Sequence, residues 1–327
     1  MTLSKSSLFL ATLGLAAGAH AQFVETEANE TKASANAFSV VPGSTITGNT
    51  IGNSTAAGAD SADTFRLNFG AAAPAIYRNR LTLTTPASGF HFGAILGVTQ
   101  TAGVPNPGTD VAFQDSALFT RSNQFYTFGA ATSLYYRVTG TSDATDDYTA
   151  TLTRSVVTPV DLGTYAAGSI TFATTGLVPN GTRRSDTSML VLDGNLAPIP
   201  GYSNEDASST DLGSTLARSY APGTYTLAVS NYFTTSNLGA PADDAYRSGT
   251  LLDFAGVVAS RSLSAGDNLA FNVTDANGTR SFAGTKAEPF DVNFYRFTVA
   301  QPVPEPATMA VLGLGAAALL RRRRRSA

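Results

Sequence analysis

TFRLNF (64–69) decides the fold. Its apolar residues Phe65, Leu67 and Phe69 fall on every second position, with Arg66 and Asn68 between them. Successive side chains of a strand point to opposite faces, so this segment reads as a strand with one apolar and one polar face. The same alternation recurs in TYTLAV (224–229) and YRFTV (295–299), and in RLTLTT (80–85), YYRVTG (135–140), DYTATLT (147–153), GSITFATT (168–175) and LAFNVTD (269–275). Short alternating strands separated by turn residues predict antiparallel β-sandwiches. Composition agrees. Charged residues make up 14% of the 327, against a usual ~25%, and Thr, Ser, Ala, Asn and Gly fill the gap. β-Branched Thr suits the pleat and loses rotamer freedom in a helix. No stretch of the body sustains a helical period for three turns, so the fold class is all-β.

Proline and glycine in TPVDLGTYAAG (158–168) follow the strand DYTATLT and place a boundary near 156–160. Two modules are expected, 22–155 and 156–301. DSADTFRLNF (60–69) and PFDVNFYRFTV (289–299) echo each other faintly, each with an acidic start before aromatic alternation. TQTAGVPNPGTD (99–110) and NYFTTSNLGAPADDAYRSG (231–249) are long for hairpin loops, and such loops are either functional or mobile.

Both ends carry address segments. MTLSKSSLFLATLGLAAGAHA (1–21) has one cation, Lys5, then an apolar run, then Ala19-His20-Ala21. This is the layout of a signal peptide cut after Ala21. At the other end, Ala307 to Leu320 is uncharged and Arg321, Arg322, Arg323, Arg324 and Arg325 follow directly. A bilayer wants about 20 helical residues, so this is a short transmembrane helix. The arginines act as a cytoplasmic stop and snorkel to relax the length requirement. Two prolines around Glu305 hold Pro304-Glu305-Pro306 extended, open to a protease at the membrane face. Read from residues alone, 302–327 is either a plain anchor or a processed tail. The triplet, short helix and arginine run resemble the PEP-CTERM sorting signal. That resemblance implies transient recognition by an exosortase and passage from an inner-membrane precursor to the envelope, cell surface or extracellular space.

Between the ends, residues 22–303 carry 15 Lys and Arg against 23 Asp and Glu, a net charge of −8. Such a body repels nucleic acid and attracts divalent cations. The absence of cysteine excludes thiol catalysis, thiolate metal sites and iron–sulfur chemistry. Beyond the signal peptide His91 is the sole histidine, with no G-x-S-x-G elbow beside it, and it reads as a strand residue facing water. One histidine is too few for the common zinc patterns. The acidic pairs Asp146-Asp147 and Asp243-Asp244 sit in hydrophilic turn contexts. These features predict a protein that is not an enzyme.

FVETEANETKASANA (23–37) places Glu25, Glu27 and Asn29 on one side of an extended segment, and ADSADTF (59–65) adds Asp60 and Asp63. The arm is either a solvated acidic segment or part of an oxygen shell for calcium, which takes six to eight such ligands. E-x-E-x-N-E (25–30), S-x-x-A (34–37), I-T-G (46–48), D-x-x-D-x-F (60–65), Y-x-V (136–138) and Y-x-x-x-L (148–152) resemble the bacterial pre-peptidase C-terminal domain, the family of clostridial collagen-binding modules. The resemblance implies a jelly-roll-like sandwich and calcium ligands at Glu25, Glu27, Asn29, Asp60 and Asp63. The family's usual Asp after the Asn is Glu30 here. MLVLDGNLAPIPGYSNEDASSTDLGS (189–214) resembles the same family's middle hairpin and offers a weaker oxygen set in Asp193, Asn204, Glu205 and Asp206. Tyr232, Phe233 and Tyr246 are candidate sugar-stacking aromatics in a chain without tryptophan. The expected role is structural or adhesive, in a surface or exopolysaccharide matrix, with calcium as a stabilising ion. The alternative is a carbohydrate-binding module or weak glycoside-active enzyme acting on exopolysaccharide.

Overall fold

The computed structural model describes residues 21–51, 62–85, 91–116, 121–140, 145–174, 186–208 and 210–301. Every regular element among them is a β-strand, as the period-two patterning predicts. The segments expected to form a signal helix before Ala21 and a membrane helix in the tail lie outside the described residues. Among the described residues no helix is long and apolar enough to cross a membrane.

Four sheets stack in layers. The first runs β19 (Thr250–Leu252), β6 (His91–Thr101), β10 (Thr132–Gly140), β4 (Ala62–Phe69) and β2 (Asn36–Val40), with β7 (Val104–Pro105) and β8 (Val111–Asp115) also paired to β6. The second runs β1 (Gln22–Val24), β3 (Thr45–Ile51), β11 (Thr145–Val157), β5 (Ile76–Thr84), β9 (Ser122–Thr127), β20 (Val257–Ser260) and β18 (Thr234–Thr235). The third is β12 (Val160–Tyr165), β23 (Asn293–Val299), β17 (Gly223–Asn231), β14 (Thr187–Leu192) and β15 (Pro198–Asn204). The fourth is β16 (Thr215–Tyr220), β13 (Gly168–Ala173), β21 (Phe271–Asp275) and β22 (Gly278–Phe282). Most pairs are antiparallel, as expected, but the sheets are mixed: β1 joins β3, β2 joins β4 and β12 joins β23 in parallel.

Strand alternation builds three cores. Phe65, Leu67 and Phe69 point into the first core with Leu81, Leu83, Phe125, Tyr136 and Leu152, sandwiched between the first and second sheets. Ile170, Phe172, Val191, Leu227, Phe271 and Phe297 fill the second, between the third and fourth sheets. The third core lies between the two inner sheets and holds Ile76, Tyr126, Phe128, Leu190, Leu192, Ala228, Val258 and Phe294. Neighbours in sequence therefore serve different cores: Phe125 faces the first and Tyr126 the third, while Val191 faces the second and Leu190 and Leu192 the third. Phe294 packs edge-on against Tyr126 at 4.9 Å and Phe128 at 6.2 Å. A polar rim closes this joint, with Gln124 Nε2 donating to Asp291 Oδ1 at 2.7 Å and Arg80 paired with Glu288.

Residues 234–260 leave the second sandwich and return to the first. β18 pairs with β20, β20 with β9 and β19 with β6. Leu252, Val257 and Ala259 are buried in the first core, and that burial rewards the long connection. The two long loops are held by side-chain hydrogen bonds. Asn106 Nδ2 reaches Thr99 and Thr101, and Gln100 grips the other loop at Tyr246 O (2.7 Å) and Ala240 N (2.9 Å).

Candidate metal centre

The N-terminal arm enters beside β3, with Phe23 stacked on Phe38 at 4.6 Å. Glu25 continues the pairing through its N–H to Thr47 O at 3.1 Å. The Asn36 side chain then holds the arm by both of its polar atoms: Thr26 N–H donates to Oδ1 at 2.6 Å, and Nδ2 donates to Thr26 O at 2.9 Å. Beyond this clamp, Asn29 O accepts from Thr64 N at 2.8 Å, which sets Asn29 next to Asp63 of β4.

Glu25, Glu27 and Asp63 each bring a carboxylate oxygen within 4.8 Å of the others. Glu25 Oε1 accepts from Asn49 N at 2.6 Å. The Tyr148 hydroxyl lies 2.7 Å from Asp63 Oδ2 and 3.1 Å from Glu25 Oε2. One phenolic proton cannot serve both oxygens fully. Asp63 and Asn29 are completely buried, yet Asp63 Oδ1 and Asn29 Oδ1 have no hydrogen-bond donor. Two orphaned acceptors at one place are costly unless something electropositive satisfies them. Among the described residues neither Glu25 nor Asp63 has a Lys or Arg partner. Lys32, later in the same arm, is committed to Asp253 at 2.9 Å and to the carbonyl of Thr109 at 2.8 Å. Burial, then the closeness of Glu25 and Glu27, drives the Asp63 carboxyl far above the usual range. Burial, and after it Asp63 and Glu25, raise the Tyr148 hydroxyl. Gly48 fits this arrangement, because a Cβ there would collide with the Glu25 carboxylate and the Tyr148 hydroxyl.

The expected ligands thus divide. Glu25, Glu27 and Asp63 converge and Asn29 is placed beside them. Glu30 offers its backbone carbonyl to Thr64 Oγ1 at 3.1 Å. Asp60 lies outside the described residues. In the weaker set, Asp193 caps its own turn, accepting from Asn195 N and Ala197 N at 2.9 Å each. Asn204 Oδ1 is taken by Thr215 N at 2.7 Å. Asp206 gathers with Glu205 and with Asp186, which the sequence did not single out. Tyr148 also escaped notice, although its place in the Y-x-x-x-L strand was the available signal.

His91 is a correction: it faces inward, not toward water. It is buried, with Nε2 2.9 Å from Thr50 Oγ1 and its ring 5.4 Å from that of Tyr148. The aromatics of the long loop pack on one another, Tyr232 tilted against Phe233 at 3.9 Å and Phe233 stacked on Tyr246 at 4.2 Å, leaving Tyr232 the exposed member. Ala21 O accepts from Thr45 N at 3.0 Å; Ala19, Pro304, Glu305, Pro306 and the five terminal arginines lie outside the described residues.

No curated protein matches the chain. Residues 302–325 match the PEP-CTERM protein-sorting motif. This match supports an exported, membrane-anchored precursor that an exosortase processes and sorts to the cell surface.

Proposed function

We propose that this chain is a non-catalytic surface protein, structural or adhesive in the envelope or exopolysaccharide matrix, whose N-terminal arm is fastened by a calcium ion. The observation that carries the proposal is the convergence of Glu25, Glu27 and Asp63 beside the donorless oxygens of Asp63 and Asn29. These are hard oxygen donors of both charged and neutral kinds, the set calcium selects. The residues fit the ion; when bound, it supplies the positive charge that the described side chains around Asp63 do not. Glu25 and Glu27 belong to the arm and Asp63 to the sandwich, so shared coordination ties one to the other. Extracellular calcium modules work at ~10⁻⁴–10⁻³ M, so the arm would lock after export. The burial of His91 against Thr50 supports the non-catalytic reading.

Thermal melting of the full chain in mild detergent tests the ion. Calcium at about 100 times its Kd contributes ~2.7 kcal/mol, a rise in Tm on the order of 5 °C over chelator. Glu27→Gln is expected to lower the rise by about that amount, the contribution of this one ion. Equal melting in calcium and chelator would discard the proposal.

A further inference from the structure

A second acidic cluster lies at the edge of the third sheet, apart from the arm. Asp186 precedes β14, and Glu205 and Asp206 follow β15. One carboxylate oxygen from each lies within 4.8 Å of the other two. Glu205 is only 3% exposed, and its Oε2 has no hydrogen-bond partner. Asp186 Oδ1 and Asp206 Oδ1 are likewise buried without a donor. The cations in the neighbourhood are used elsewhere. Arg218 holds Asp243 with two bonds of 2.7 and 2.8 Å, and Arg261 lies over the Phe233 ring. A cavity of about 30 Å³ adjoins Glu205, room for a water molecule, and among its lining atoms Thr234 Oγ1 has no partner.

Asp244 explains the position of the cluster. It is buried, its carboxylate accepts from the Tyr246 N–H at 3.0 Å, and it lies against the backbone of Glu205 and Asp206. It adds a fourth negative charge beside Glu205. Asp244 belongs to the loop whose flanks pair with the first sandwich: Gly103 N donates to Arg247 O at 2.9 Å, Gln100 N to Gly249 O at 3.0 Å, and β19 lies on β6. The cluster thus sits where a loop of the first sandwich docks on the second.

We propose that Asp186, Glu205 and Asp206 form a second binding site for a hard divalent cation of the calcium type, which staples the 236–249 loop to the edge of the third sheet indirectly, by neutralising the acids against which Asp244 of that loop is buried. Three anionic oxygens without donors form the core of such a shell, and Thr234 Oγ1 and a water in the cavity are available to extend it. The ion offsets the mutual repulsion of the acids, leaving Asp244 free to hold the loop. The site shares no residue with the arm centre, so either can be present without the other.

Counting calcium ions bound to the full chain by isothermal titration tests this. Wild type is expected to bind two and Glu205→Gln one; Glu27→Gln is expected to keep one. If Glu27→Gln protein binds no ion, or if Glu205→Gln leaves the wild-type count unchanged, the second site does not exist. A wild type that binds one ion, lost in Glu205→Gln but kept in Glu27→Gln, would uphold this site and reject the arm centre. Melting guards against misfolding. In chelator Glu205→Gln should be at least as stable as wild type, because the change relieves repulsion, whereas in calcium it should be less stable. Should Glu205→Gln melt lower than wild type in chelator, Asp186→Asn replaces it in the count, with one ion expected and two contradicting the staple. Tryptic cleavage after Arg247 in the Glu27→Gln protein gives a local readout. Chelation is expected to speed it on the order of tenfold, and equal rates in chelator and calcium would overturn the staple.

Discussion

Burial, and after it the acids Asp206, Asp186 and Asp244, push the Glu205 carboxyl from 4.5 up to about 9. Between these values the folded protein keeps a proton that the unfolded chain releases, so without an ion this group lowers stability as pH rises. Asp63, raised by burial and by Glu25 and Glu27, and Asp186, raised to about 6 by burial and Asp206, have the same sign. Two opposing sets act outside the window of interest. Lys286, lowered by burial from 10.5 to about 8, titrates differently in the two states only above pH 8 or so. Asp161, Asp243 and Glu288, lowered by Gly163 N–H, Arg218 and Arg80 respectively, matter only at more acid pH. In chelator, Tm should therefore be higher at about pH 5 than at about pH 7.5. Glu205→Gln should flatten part of that slope, and calcium should reverse it, since protons compete with the ion for the same oxygens. A chelator profile that rises with pH, in wild type and variant alike, contradicts the assignment.

The strands were legible where one face is buried and the other is not. Phe65, Leu67 and Phe69 announce β4 because Arg66 and Asn68 face away from the core. β14, TSMLVL, is buried at every residue, and a short continuous apolar run carries no period from which to tell a helix from a strand. That lost alternation marks a strand covered on both faces, as β14 is by the second and third cores. It also hid the third core, since nothing in Leu190 or Phe294 says which sheet covers it. The parallel partners of β1, β2 and β12 were hidden for a related reason. Pairing direction depends on how the chain travels between strands, not on the strands' own residues. The return of 234–260 follows from the volume that Leu252, Val257 and Ala259 fill in the first core, a tertiary fact. At the candidate centre, Glu25, Glu27 and Asn29 could be read because they lie close in sequence. Tyr148 showed itself only as a strand residue, and Asp186 could not be read at all, since the folded sheet alone brings it to Glu205 and Asp206. Phe294→Ala tests the joint between the inner sheets. The change should cost about 3–5 kcal/mol, as emptied aromatic positions in cores do, and should expose both sandwiches to protease together. A loss well under ~1 kcal/mol would mean that the sheets are not welded there.

At the scale of the whole molecule, an acidic four-layered body is delivered by a tail matching the PEP-CTERM protein-sorting motif. Exosortase processing predicts that the product isolated from wild-type cells lacks the arginine tail by intact mass. Glu305→Ala should retain it and remain in the membrane fraction, whereas a wild-type product with the tail intact would refute processing. Calcium suits this itinerary, because the ion is scarce before export and abundant after it. The most direct test of calcium at the arm uses terbium as a stand-in for the ion. The chain has no tryptophan, so terbium emission excited through the protein must be sensitised by tyrosine, and the Tyr148 hydroxyl already lies against Asp63 and Glu25. In a Glu205→Gln background, which empties the second site beside Tyr246, the full chain should give saturable emission that calcium displaces, and Tyr148→Phe and Glu27→Gln should each remove most of it. Absence of calcium-displaceable emission, or emission untouched by both substitutions, would show that Glu25, Glu27 and Asp63 hold no ion.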